Sequence, residues 1–154
     1  MMTKLNLPEY PFRLKEEDKK TKIFDSIRKK YVVLTPEEWV RQNIIKYLIE
    51  EKGYPKGLIA VETSLKHNGR VRRSDILCFH TNNMPILLVE CKAPEVKISQ
   101  DVFDQISRYN IAYEVPFLLV SNGLQHFVCQ VDFNTRSSTY LQELPHYKEL
   151  FKNE

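Results

Sequence analysis

No two residues constrain this chain more than Asn68-Gly69, which separates two segments of alternating character. A two-residue type I′ turn requires positive φ at both central positions, and Asn-Gly meets that requirement best. A turn there sets Glu62 opposite Asp75. The next break, His80-Thr-Asn-Asn-Met-Pro85, predicts a second two-residue turn at Asn82-Asn83, which sets Asp75 opposite Glu90. Three strands over 58–66, 71–80 and 85–92 then carry Glu62, Asp75 and Glu90 in one row, with Lys92 two residues beyond Glu90.

The same register orders the other rows. On the acidic face they read Leu58/Phe79/Ile86, Ala60/Leu77/Leu88, the acids, and Ser64/Arg73/Lys92. Behind them lie Ile59/Cys78/Leu87, Val61/Ile76/Val89 and Thr63/Ser74/Cys91. Apolar rows at one end and polar rows at the other describe a sheet buried on both faces that opens into a polar cleft. Directly opposed side chains have Cβ atoms about 4.5 to 5.5 Å apart, and like charges so placed repel. The acid row therefore implies either a divalent cation, with Mg²⁺ taking carboxylate and water oxygens, or basic neighbours, for which Arg72 and Arg73 are the candidates. In the first case, Asp75→Ala relieves repulsion and leaves the metal-free fold intact.

Elsewhere the elements are read from periodicity and caps. Residues 1–20 read as an extended arm with a charge run from Lys15 to Lys20, followed by short strands near Lys22 to Asp25 and Tyr31 to Leu34. A helix from Pro36 to Glu51 has its apolar stripe at Val40, Ile44, Tyr47 and Leu48, and Gly53 stops it. Thr35-Pro-Glu-Glu38 forms a capping box, with Glu38 reaching back to a free amide. A second helix runs from Ser99 to about Tyr113 and is followed by strands at 116–120 and 126–132. The tail adds a strand at 139–142 and a short helix from Pro145 to Phe151. The order αβββαβ is an α/β (α+β) arrangement: a mixed sheet flanked by helices, with a right-handed crossover through the second helix.

Several residue strings match a known family. Asp75, followed after a hairpin by Glu90-Cys91-Lys92, resembles the D…(D/E)-x-K signature of the PD-(D/E)XK nuclease superfamily, with Ser74 where the name places proline. Thr35-Pro-Glu-Glu-Trp-Val-Arg-Gln42, Arg73-Ser-Asp-Ile76, Val89-Glu-Cys-Lys-Ala-Pro94 and Gln105-x-x-x-Tyr109 resemble the N-terminal nuclease domain of type I restriction enzyme R subunits over residues 30–125. The resemblance implies a restriction-endonuclease-like core and Mg²⁺-dependent hydrolysis of phosphodiester bonds in DNA, with Mn²⁺ able to substitute. Asp75, Glu90 and the backbone carbonyl of Cys91 would be metal ligands, and Lys92 would position water or stabilise charge on the phosphate. The Cys91 side chain points away from them into the core.

Glu38 matches an acid this superfamily often supplies from its first helix, although the capping box accounts for it equally well. Glu62 is an acid behind the site, a ligand for a second metal, or a partner for Arg73. Gln105 and Tyr109 lie four apart and share a helix face. Together with Arg72 and Arg73 they are read as substrate-binding residues, in contact with DNA or with Lys92.

Composition limits the alternatives. The 154 residues suit one domain, with an N-terminal arm and short strands over 1–34, the core with its extra strand over 35–132 and a tail over 133–154. There is neither a long apolar run nor a signal-peptide core, so the expectation is a cytoplasmic protein with no membrane partner. Cys78, Cys91 and Cys129 have no C-x-x-C spacing and read as reduced core residues. A net charge of +3 is mild, but Arg70, Arg72 and Arg73 cluster beside the acids, with Lys66 and His67 across the turn. The cluster Arg28-Lys29-Lys30 reads as solvated surface. The chain carries no G-x-x-x-x-G-K-[ST] loop for an ATP-driven motor. It is expected to act on nucleic acid as a homodimer or within a larger restriction-type complex. The alternative is a non-catalytic nucleic-acid-binding or assembly module that keeps the nuclease fold.

Overall fold

A computed structural model describes residues 2–151. The charged run that sequence assigns to an extended arm forms a hairpin. Strand β1 (Leu14–Glu17) pairs antiparallel with β2 (Lys20–Asp25), which pairs with β3 (Lys30–Val33). Asp18 and Lys19 turn at φ 55° and 62°, the two positive values of a type I′ turn. Lys22 and Lys15 reach Glu17 at 2.6 and 3.0 Å. Charge pairing within β1 and across to β2 replaces the apolar alternation that would have revealed β1.

Helix α1 (Pro36–Glu50) starts where its cap predicts, with the Glu38 amide donating to the Thr35 hydroxyl at 3.0 Å. Val40, Ile44 and Leu48 are fully buried. Gly53 ends the helix region at φ 72°, a value that favours glycine. A short 3-10 turn leads into the main sheet, whose spatial order is the sequence order: β4 (Ile59–His67), β5 (Arg70–Phe79), β6 (Pro85–Cys91), β7 (Phe117–Ser121), β8 (His126–Asp132) and β9 (Ser137–Leu141). All neighbours are antiparallel except β6 and β7, which are joined through helix α2 (Gln100–Ile111). The fold is thus α+β with a mixed sheet, as expected.

Successive residues of the central strands go to opposite cores. Leu87, Val89, Cys91 and Leu119 pack with α1, whereas Leu88, Leu118 and Val120 pack with Phe103 and Ile111 of α2. The residues before β1 are docked on α1: the Trp39 indole donates to the Thr3 carbonyl at 2.8 Å, and Phe12 packs edge-on to Trp39.

The β4/β5 register is the expected one at every pair that forms, from Ile59↔Cys78 to His67↔Arg70 around Asn68-Gly69. The β5/β6 register is also as expected at Ile76↔Val89, Leu77↔Leu88 and Cys78↔Leu87. Its turn differs. The Asn83 amide donates to the His80 carbonyl and the His80 amide to the Met84 carbonyl, so the loop has three residues, with Asn83 at φ 70°. Phe79 then faces Pro85 rather than Ile86, and a bulge restores the register by Cys78.

One departure matters for the site. Glu62 has φ 50°, and the ladder is not paired at Glu62/Asp75. Ile59 and Val61 pack with the α1 core, yet Leu65, of the same parity, packs with the α2 core. Across the ladder, Ile76 and Cys78 lie on the α1 side, whereas Arg72 meets Asn110 and Tyr109 of α2. The two strands exchange faces together at this point without a change of register.

Candidate functional site

The exchange splits the expected acid row. Glu62 and Asp75 turn towards α1, where Arg41 bridges them: one terminal nitrogen lies 3.3 Å from Glu62 and the other 3.2 Å from Asp75. The first of these also reaches Glu38 at 2.8 Å, and the second reaches Glu37 at 3.5 Å. Glu90, on the α2 side with Leu88, is bound by Arg72, which also approaches the Asn110 side-chain oxygen at 3.4 Å. Strict alternation along β4 and β5 would have kept the three acids together; the left-handed residue at Glu62 breaks it.

The basic neighbours are therefore more numerous than sequence suggests. Arg72 is buried and serves Glu90, while Arg73 is 71% exposed and lies 3.6 Å from Glu62. Arg28, expected at a solvated surface, sits with its side chain 15% exposed and reaches Asp25, Glu38 and Glu62 at 2.5, 2.9 and 3.1 Å. Glu38 does not complete the capping box. Its carboxylate accepts from Arg28 and Arg41, and from Gln42 at 3.0 Å. Asp75 is fixed on its other oxygen by the Cys91 amide at 2.7 Å. Asp75 thus has a basic neighbour, Arg41, and a backbone amide as partners, the second of the two arrangements the sequence allows.

Asp75, Glu90, Cys91 and Lys92 nonetheless line one cavity of about 220 Å³, together with Glu37 and Arg73. Lys92 begins beyond the end of β6, its amide donating to the Ser121 carbonyl at 2.8 Å and its ammonium lying 3.5 Å from Glu90. Glu37 was not singled out in the sequence, although its four-residue spacing from Arg41 was visible. Burial raises its pKa and the Asp75 charge raises it further, against Arg41 and Lys92. Arg41 is held in its charged form by Glu38, Asp75 and Glu62 despite its burial. The Cys91 thiol is pushed well up by burial, then by the Asp75 charge, which accords with a core residue and not a nucleophile.

Gln105 and Tyr109 stand on one face of α2 and line a neighbouring cleft with Arg72, Arg73 and Glu90. Tyr109 lies under the Arg72 guanidinium, 5.0 Å from the ring centroid. Among the described residues, no hydrogen bond joins either residue to Lys92.

The donor types around the cavity are hard oxygens beside one ammonium and the Arg73 guanidinium, and the oxygens suit a small divalent cation in kind. In arrangement, no three His, Cys, Asp or Glu residues among those described are grouped to hold a metal. Arg41 and Arg72 occupy the charge that a cation would neutralise.

The chain has recognisable relatives. Residues 36–145 match the family described as type I restriction enzyme R protein N terminus, and the chain belongs to that family. No curated protein matches it in sequence. Its fold is similar to a solved fragment described as the HsdR subunit of a type I restriction enzyme from Vibrio vulnificus YJ016, with a TM-score of 0.53 and 23% identity over 77% of this chain. The match spans 25% of the length of that chain.

Proposed function

We propose that this domain hydrolyses phosphodiester bonds in DNA with the help of Mg²⁺, as the nuclease part of a restriction-type assembly. The observation that carries the reading is that Asp75, Glu90 and Lys92 all line one cavity, in a chain of this family. Asp75, Glu90 and the Cys91 carbonyl would hold the cation. When bound, such a cation lowers the pKa of attacking water and offsets charge on the phosphate. Lys92 contributes a fixed positive charge beside Glu90, suited to the extra negative charge of the transition state. The amide of Cys91 orients Asp75, and Arg73, being exposed at the rim, can meet the substrate phosphate.

A second reading, a non-catalytic nucleic-acid-binding module, is favoured by one observation: Arg41 and Arg72 already neutralise Asp75 and Glu90. The two readings separate in a cleavage assay on supercoiled plasmid, single-stranded DNA and structured RNA, in Mg²⁺ or Mn²⁺ against EDTA. Metal-dependent nicking that Asp75→Asn and Lys92→Ala each abolish supports the hydrolase. Equal background in all three proteins supports the module.

A further inference from the structure

A larger cleft, of about 670 Å³, adjoins the acid cavity, and Arg73 and Glu90 line both. Five arginines border it: Arg70, Arg72 and Arg73 from β5, Arg108 from α2, and Arg136 from the turn between β8 and β9. Glu90 is the one carboxylate in its wall, and Arg72 already holds it. Among the described residues, no carboxylate lies within ion-pair distance of Arg70, Arg108 or Arg136. Arg108 acts on Asp104 only through its field. Three separate elements thus bring cations together, and Arg70, Arg108 and Arg136 have no carboxylate among the described residues paired with them. Like charges so gathered oppose folding, and a polyanion would relieve them.

The cleft also exposes apolar side chains between its arginines. Val71 is 54% exposed and Tyr109 50% exposed. The Tyr109 ring is held in place by Arg72 on its face and by a 3.2 Å contact between its hydroxyl and that of Tyr113. A duplex presents phosphates and groove edges and would leave such side chains uncovered. An unpaired strand offers base faces that stack on an aromatic ring while its phosphates meet arginine.

We propose that this cleft binds a single strand of nucleic acid, with Arg70, Arg108 and Arg136 on phosphates and Tyr109 under an unpaired base, and leads it past Glu90 to the acid cavity. The last part rests on the hydrolase reading; the binding part does not.

The test is fluorescence anisotropy in EDTA, where no metal-dependent cleavage occurs, with labelled single-stranded DNA, the RNA of the same sequence, and the DNA duplex. The expected result is tight binding of at least one single strand and duplex binding at least about tenfold weaker. Tyr109→Ala should weaken single-strand binding by about fivefold to a hundredfold, and Tyr109→Phe should retain it. Arg136→Gln should weaken binding and lower the salt-dependence slope by about 0.7. Lys56→Gln, on the 3-10 turn at the other end of β4, should bind like wild type. Duplex binding as tight as single-strand binding, or wild-type binding by both Tyr109→Ala and Arg136→Gln, overturns the proposal. The expected binding pattern without any cleavage in Mg²⁺ would keep the cleft and remove the hydrolase; cleavage with unaltered binding in both variants would do the reverse.

Discussion

At the scale of single residues, Arg41 decides how the acids coexist. Its planar fork touches four carboxylates, from Glu37, Glu38, Glu62 and Asp75, which no lysine ammonium could span. The arrangement has a cost, since the Arg41 Nε is buried without a partner. Arg41→Ala is expected to lower stability by about 3 kcal/mol or more, because it strands partly buried charges; urea unfolding measures it, and a loss below about 1 kcal/mol would deny Arg41 this role. Asp75→Ala should destabilise by about 1 to 3 kcal/mol through its lost bonds to Arg41 and the Cys91 amide. Asp25 gives a pH dependence of known sign. Burial opposes its charge, yet the Arg28 amide, the Arg28 guanidinium and the Ile27 amide together hold its pKa below the usual carboxylate value. The unfolded chain therefore takes up that proton first. The stability Asp25 contributes is fully present above its unfolded pKa of about 3.9 and is lost as pH falls through the lower folded value. The gap in urea midpoint between wild type and Asp25→Asn should close over that acidic range and stay constant from pH 5 to 8.

Among the elements, the Asn68-Gly69 turn and the Thr35 cap were the parts best read from sequence, because their chemistry is local. Thr35 caps α1 and Ser99 caps α2, each accepting from a backbone amide in the first turn, and Thr35→Ala should cost about 1 kcal/mol. Asn68-Gly69 set the β4/β5 register at every pair that forms, on both sides of Glu62. Asn82-Asn83 set the β5/β6 register only because a bulge absorbed the extra loop residue. The face exchange at Glu62 left no local trace. A glutamate at positive φ is uncommon, and it persists here because Arg28 and Arg41 hold its carboxylate towards α1. Gly123 shows the same dependence on distant packing. It has φ 87°, and a Cβ there would lie 2.6 Å from Leu5. Gly123→Ala should therefore lower the thermal midpoint by several degrees, about what a 1 to 3 kcal/mol loss produces in a chain of this size.

For the molecule as a whole, the C-terminal stretch is part of the core. Strand β9 pairs with β8, Leu144 is buried, the Tyr54 hydroxyl donates to the Pro145 carbonyl at 3.1 Å, and the Tyr147 amide donates to Lys52 at 2.8 Å. Truncation after Asp132 should abolish cooperative unfolding or shift its midpoint sharply down, since it bares the β8 edge and part of the α1 core; an unchanged melting curve would contradict this. The chain by itself determined the order of elements from α1 onward, the two hairpin registers at the rows that pair, and the Thr35 cap, because each rests on neighbours a few positions apart or on a two-residue alternation. Only the tertiary structure decided which face each acid takes, which arginine neutralises it, and that Arg108 and Arg136 join the β5 arginines around one cleft. Those outcomes depend on side chains from α1, α2 and the β8–β9 turn meeting across the sheet, and long-range electrostatics of that kind has no period along a sequence.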